Sequence, residues 1–158
     1  MGYILTIETS TTNCSVGLIR NGICEAFIEE NNGYTHAENL SVFIDDLLQL
    51  HHVNKIDLKA VAIAKGPGSY TGLRIGVSAA KGLCFGLDIP LIALPTLEVL
   101  ANKIQTESGS IVATLDARRM EVYSAVFDTN HQCIHPTTAK ILNAKSYADL
   151  LEKHAVFF

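Results

Sequence analysis

Three short stretches hold the residue types with most chemical potential. Ile7-Glu8-Thr9-Ser10-Thr11-Thr12 is a β-rich run ending in a carboxylate and a cluster of hydroxyls. Such hydroxyls and their backbone N–H groups suit a phosphate, with Glu8 near a metal. The same Ser and Thr types also satisfy their own backbone in an ordinary turn. Gly66-Pro67-Gly68-Ser69-Tyr70-Thr71-Gly72 links an apolar run to a helical one. Backbone N–H groups at such a helix start can hold an anion. The loop lacks the Gly-Lys-Ser/Thr of a Walker loop, and its last glycine falls one residue late for Gly-x-Gly-x-x-Gly. It is not the Gly-x-Ser-x-Gly elbow either. Ser69 would need a neighbouring base to act as a nucleophile, and none is evident. The third stretch, Leu115-Asp116-Ala117-Arg118, supplies a second acidic residue. Glu8 and Asp116 suit Mg²⁺ only alongside a nucleotide. Glu8, Thr9, Ser10, Gly66, Gly68, Ser69 and Asp116 thus form a candidate phosphate set of vestigial character.

The remaining reactive types are scattered. His131 and His135 are four apart, but Pro136 argues against a helical metal pair, and the histidines read as structural. The cysteines at 14, 24, 84 and 133 form no Cys-x-x-Cys pair and read as reduced thiols. No metal site is expected.

Tyr3 to Thr9 reads as a first strand. Cys14 to Arg20 and Ile23 to Glu29 flank Asn21-Gly22, a strong hairpin signal because both turn residues need positive φ. Thr35 to His52 reads as a helix. Thr35 and Glu38 fit a capping box, and Leu40, Phe43, Ile44, Leu47 and Leu48 form a helical stripe. Leu58 to Lys65 is a strand, Ser69 to Leu87 a helix, Leu91 to Leu94 a strand, and Pro95-Thr96 opens a helix to about Ile104. The helix from Ser69 contains Gly72, Gly76, Gly82 and Gly86, each unfavourable by ~1 kcal/mol relative to Ala. Gly72, Gly76 and Ala79 or Ala80 leave one face nearly bare. That face serves either tight packing on its own sheet or a subunit interface, and a subunit interface is expected.

The chain then repeats itself. At an offset of 108 residues, Thr6-Ile7-Glu8 matches Thr114-Leu115-Asp116, Cys14 to Ile19 matches Val122 to Phe127, and Asn21-Gly22 falls on turn-like Thr129-Asn130. A helix from about Ser146 to Lys153 and a strand from Ala155 to Phe158 complete the second copy. The expectation is an α/β protein of the duplicated actin-like, ribonuclease-H-like class. Residues 1–108 form a complete first half and residues 109–158 a truncated second half.

Composition fits a folded domain. Of 158 residues, 48% are hydrophobic and 18% charged, which excludes a disordered chain. Twelve basic residues against 16 acidic give a net charge of −4 without a basic block, so RNA contact is expected only through a partner. No run reaches the ~18 apolar residues of a membrane span, and Glu8 interrupts any signal-peptide core. The loose myristoylation match at Met1 to Thr6 coincides with the first strand. A cytoplasmic protein is expected.

Three stretches together carry a resemblance: Ile7-Glu8-Thr9-Ser10, the run from Ala64 to Gly76, and Leu115-Asp116-Ala117-Arg118. They are similar to the TsaB (YeaZ) family of accessory subunits in bacterial threonylcarbamoyladenosine synthesis. The resemblance implies an actin-like fold and a role in modifying adenosine 37 of tRNAs. It implies the catalytic relative TsaD and the ATPase TsaE as partners, a homodimer when alone, tRNA only indirectly, and no cofactor on this chain, with ATP and metal on the partners. In the family the first-half helices make the dimer contact. Carried onto this chain, that contact falls on His36, Leu40, Phe43 and Leu47, and on Gly72, Arg74, Ile75, Gly76, Ala79 and Ala80. TsaD carries a His-x-x-x-His metal motif where this sequence has Thr96 and Leu100, with Glu98 between them. Neither residue replaces an imidazole ligand, so a non-catalytic scaffold is the leading expectation. The alternatives are an actin-like small-molecule kinase or ATPase, and a metal-dependent peptidase or transferase.

Overall fold

The computed structural model describes residues 2–31, 36–152 and 156–157. Its residues cluster into two compact units, Met1–Leu94 and Pro95–Phe158.

In the first unit, β1 (Tyr3–Glu8), β2 (Cys14–Arg20), β3 (Ile23–Glu30), β4 (Leu58–Ala64) and β5 (Leu91–Leu94) form one sheet in the order β3-β2-β1-β4-β5. β1 runs antiparallel to β2 and parallel to β4. Arg20 pairs with Ile23, which leaves Asn21-Gly22 as the two-residue turn. Both turn residues have positive φ, 52° and 78°, the backbone state that Asn-Gly favours.

Two helices, α1 (His36–Leu50) and α2 (Tyr70–Leu87), pack on this sheet. The expected stripe on α1 is buried at Leu40, Ile44, Leu47 and Leu48, with Phe43 partly covered. These side chains meet Leu5, Val16, Leu18 and Val61 in one core. Full burial of each such side chain contributes about 1.5–3 kcal/mol. Thr35, half of the expected capping box, lies outside the described residues. α2 starts where Ser69 Oγ accepts from the Gly72 amide at 3.2 Å, a helix cap worth ~1 kcal/mol. It ends at Asp88, whose φ of 52° turns the chain out of the helix.

The second unit repeats the strand order. β6 (Ile111–Arg118), β7 (Glu121–Phe127), β8 (Cys133–Ile141) and β9 (Val156–Phe157) lie as β8-β7-β6-β9, with β6 antiparallel to β7 and parallel to β9. The duplication legible in the sequence is therefore present in the topology. The Thr129-Asn130 turn is present, drawn in by Asp128 Oδ1, which accepts from the amides of Asn130 and Gln132.

The helical parts differ from expectation. α3 (Thr96–Ala101) is short and packs on β6 and β7, burying Leu97 and Ala101 against Ile111 and Phe127. It therefore clusters with the second unit, so the division falls at Leu94/Pro95 rather than at residue 108. The helix expected over 146–153 is reduced to α4 (Ala148–Leu151). Asn143 and Ser146 bind the local backbone, and Tyr147 has φ 64°. Such local side-chain bonds compete with helix formation. Lys153, and residues 155 and 158 of the expected last strand, lie outside the described residues.

Candidate functional site

The hydroxyl-rich turn after β1 and the glycine-rich start of α2 form one packed feature. Glu8 Oε1 accepts from the Ser10 amide at 2.6 Å, folding the turn back on its own strand. The Ser10 carbonyl accepts from the Ser69 amide at 2.6 Å. The His36 Nε2 lies 2.7 Å from the Thr11 carbonyl, which requires the proton on Nε2. Glu8, Thr9, Ser10, Gly66, Gly68 and Ser69 are thus brought into one region of the first unit. Asp116 belongs to the second unit.

The packing explains the glycines. A Cβ on Gly68 would stand 2.3 Å from the Ser10 carbonyl oxygen. One on Gly72 would stand 2.1 Å from the Thr9 carbonyl oxygen, and one on Gly76 2.2 Å from Thr9 Oγ1. These three positions, four residues apart, form a ladder that admits the turn. Thr9 and Ser10 are buried as a result, and among the described residues their hydroxyls have no hydrogen-bond partner. At the start of α2, the Ser69 and Gly72 amides serve the protein itself. Of the hydroxyls expected near a phosphate, that of Thr9 lies against Gly76 of α2.

The same packing divides the surface read from the sequence into covered and open residues. His36, Leu40, Leu47, Gly72, Gly76 and Ala80 are buried within their own unit. Phe43, Ile75 and Ala79 are half-buried, and Arg74 alone of the ten is exposed. The buried members are covered by their own turn and sheet. The outward stripe of α2 is Arg74, Ser78, Lys81, Gly82, Phe85 and Gly86. Phe85 is 93% exposed, and a Cβ on Gly82 or Gly86 would meet nothing within 4 Å. A groove between α1 and α2, lined in part by Ser41, Asp45, Ala79 and Gly82, runs beside this stripe. Arg74 and Lys81 fall on Phe85's side of the helix, a signal in the sequence that marks it as the outward one.

In the second unit, Asp116 Oδ1 accepts from the Arg118 amide at 2.8 Å. Arg118, Arg119 and Met120 have φ of 69°, 56° and 61°, three consecutive left-handed residues without a glycine. Each typically costs about 1–3 kcal/mol. Thr96 is buried on α3, one turn before half-buried Leu100. His131 is bound to the Ile104 carbonyl. Burial raises the thiol pKa of Cys14 and of Cys84, so both resist forming the reactive thiolate. Among the described residues no group of three or more His, Cys, Asp or Glu is placed to hold a metal. Nor is any described helix long and apolar enough to cross a membrane.

Comparison with known proteins gives a consistent pattern. Residues 30–149 match the family model described as TsaD, tRNA N6-adenosine threonylcarbamoyltransferase. The chain is 35% identical over 133 residues to the tRNA threonylcarbamoyladenosine biosynthesis protein TsaB of Escherichia coli, covering 83% of this chain and 57% of that protein. It is 37% identical over 128 residues to TsaB of Bacillus subtilis, covering 78% and 54%. The chain thus spans little more than half the length of these relatives. The solved structure of YeaZ from Pseudomonas aeruginosa superposes with a TM-score of 0.77 at 31% identity, over 90% of this chain and 68% of that one. The ethanolamine utilization protein EutJ from Carboxydothermus hydrogenoformans, at 14% identity and a TM-score of 0.52 over 92% of this chain and 53% of that one, shares the fold alone.

Proposed function

Because the chain belongs to the TsaD family and lies on its TsaB (YeaZ) branch, among proteins of tRNA threonylcarbamoyladenosine biosynthesis, we propose that it is a non-catalytic scaffold subunit that binds the catalytic relative TsaD. The ATPase TsaE joins that assembly, and the chain forms a homodimer when alone. Two residues favour a supporting role over catalysis. Thr96 and Leu100 stand where the catalytic relative resembled in sequence carries two histidines, and neither supplies an imidazole.

The observation that carries the binding role is the outward stripe of α2. Phe85 is almost wholly exposed between two bare glycine positions. An aromatic ring on a surface stripped of side chains allows a partner helix to approach closely while the ring fills a pocket on that partner. Such anchors dominate interface energetics. Arg74 and Lys81 add a cationic rim on the same side.

The test is association of the purified chain with its matching catalytic subunit, measured by pull-down and calorimetry. Phe85→Glu is expected to weaken binding roughly ten- to hundred-fold, the loss of about 1.4–2.8 kcal/mol. Circular dichroism should be unchanged, because the ring touches little of its own chain. An unaltered affinity in this variant, or no binding by the parent chain, overturns the assignment.

A further inference from the structure

Eight non-glycine residues among those described have positive φ. Asn21, His52, Asp88 and His131 are of types that tolerate this backbone. Arg118, Arg119 and Met120 are not, yet they are consecutive. Arg118 pairs with Glu121 across the β6–β7 ladder, so Arg119 and Met120 form a two-residue turn. The β2–β3 turn solves the same geometric problem with Asn21-Gly22. A chain that needed only a tight reversal would favour that solution here as well. The unfavourable residues at the β6–β7 tip therefore point to what their side chains present.

They present two adjacent guanidinium groups and a thioether, all exposed, with Met120 70% exposed. Among the described residues neither arginine forms an ion pair. The nearest carboxylates by chain position are Asp116, engaged with the Arg118 amide, and half-buried Glu121. Guanidinium groups match phosphate oxygens in pairs of parallel N–H···O bonds. An exposed apolar side chain next in sequence to the arginines suits a ribose or base face.

We propose that the β6–β7 tip is an RNA-backbone contact: Arg118 and Arg119 each hold a phosphodiester, and Met120 lies against an adjoining ribose or base. This rests on the reading of the chain as a subunit of a tRNA-modifying complex. The net charge of −4 makes the contact weak for the chain alone. In an assembly it adds two phosphate contacts to whatever surface the partner supplies.

The probe is a fluorescent anticodon stem-loop transcript, titrated with the full chain over a series of salt concentrations. Each phosphate contact contributes roughly 0.7–0.9 to the slope of log affinity against log salt. The double variant Arg118→Gln/Arg119→Gln is expected to lose about 1.4–1.8 from that slope. The double lysine variant should keep most of the slope, because it keeps both charges. Absence of RNA binding by the parent chain overturns the proposal. So does an unchanged slope in the glutamine variant, or competition by ATP that depends on the same arginines, which would make the tip a nucleotide-phosphate contact. Binding to the catalytic subunit, measured on the same variants, should be unaffected. Arginine-dependent RNA binding without any affinity for that subunit would leave this inference standing and remove the scaffold reading.

Discussion

At the end of β1, Glu8 accepts a hydrogen bond from the amide two residues on, that of Ser10. At the end of β6, Asp116 accepts from the amide two residues on, that of Arg118. The two bonds are the same element at the 108-residue offset of the duplication. Beyond them the turns diverge. The first carries small hydroxyl residues, is pressed beneath Gly68, Gly72 and Gly76, and is buried at Thr9 and Ser10. The second carries Arg118, Arg119 and Met120, is exposed, and holds a backbone those residues disfavour. The carboxylate-to-amide bond sets the local shape in both, whereas the element packed over the turn decides which side chains it can carry.

The strongest way to break this contrast is to remove the space above the first turn. Gly72→Ala places a carbon 2.1 Å from the Thr9 carbonyl oxygen, and backbone must move to relieve it. The expected cost is about 3 kcal/mol, at the upper end of ordinary overpacking. For a unit of this size that lowers the melting temperature by roughly 12–24 °C. A melting curve within a few degrees of the parent would show that the turn is not held beneath the glycines.

Deleting the shared bond sharpens the comparison. Glu8→Ala is expected to cost about 1.5–3 kcal/mol, since it leaves an amide in a covered turn without its charged acceptor. Asp116→Ala should cost about 0.5 kcal/mol, because water can replace the acceptor at an exposed turn. Urea titration of both variants gives the two numbers; equal losses would mean that cover is not what separates the turns. The smallest effect is expected at Met120→Gly. Glycine accepts the left-handed backbone, so stability should rise by about 0.5–1 kcal/mol despite a more flexible unfolded chain. A loss of stability instead would show that Met120 is held by contacts worth more than its strain.

The sequence makes some of this legible and hides the rest for physical reasons. Asn21-Gly22 announces its turn because the residue types match the required φ. The α1 stripe announces its buried face because apolar spacing follows the helical period. The second reversal is silent, since Arg118-Arg119-Met120 contains no turn-favouring residue. The glycines of α2 announce a bare surface without saying which way it points. Absence of a side chain suits both close internal packing and open solvent, and only the position of Arg74 and Lys81 breaks the tie. The short α3 and α4 depend on local side-chain bonds and on a left-handed residue that periodicity does not register.

The uneven role of the glycines in one helix has a consequence for how this protein tolerates genetic change. Any substitution at the first or second base of a glycine codon adds a side chain or ends the chain. At positions 68, 72 and 76 every such side chain starts with an atom that has no room. At positions 82 and 86 the same first atom enters open space and improves helix propensity. In a saturation library sorted on cellular abundance, the first three positions should be nearly empty of variants and the last two well populated. Sorting the same library on partner capture should then deplete bulky variants at 82 and 86 as well, so that the helix's two faces separate as one set of codons constrained by folding and another constrained by company.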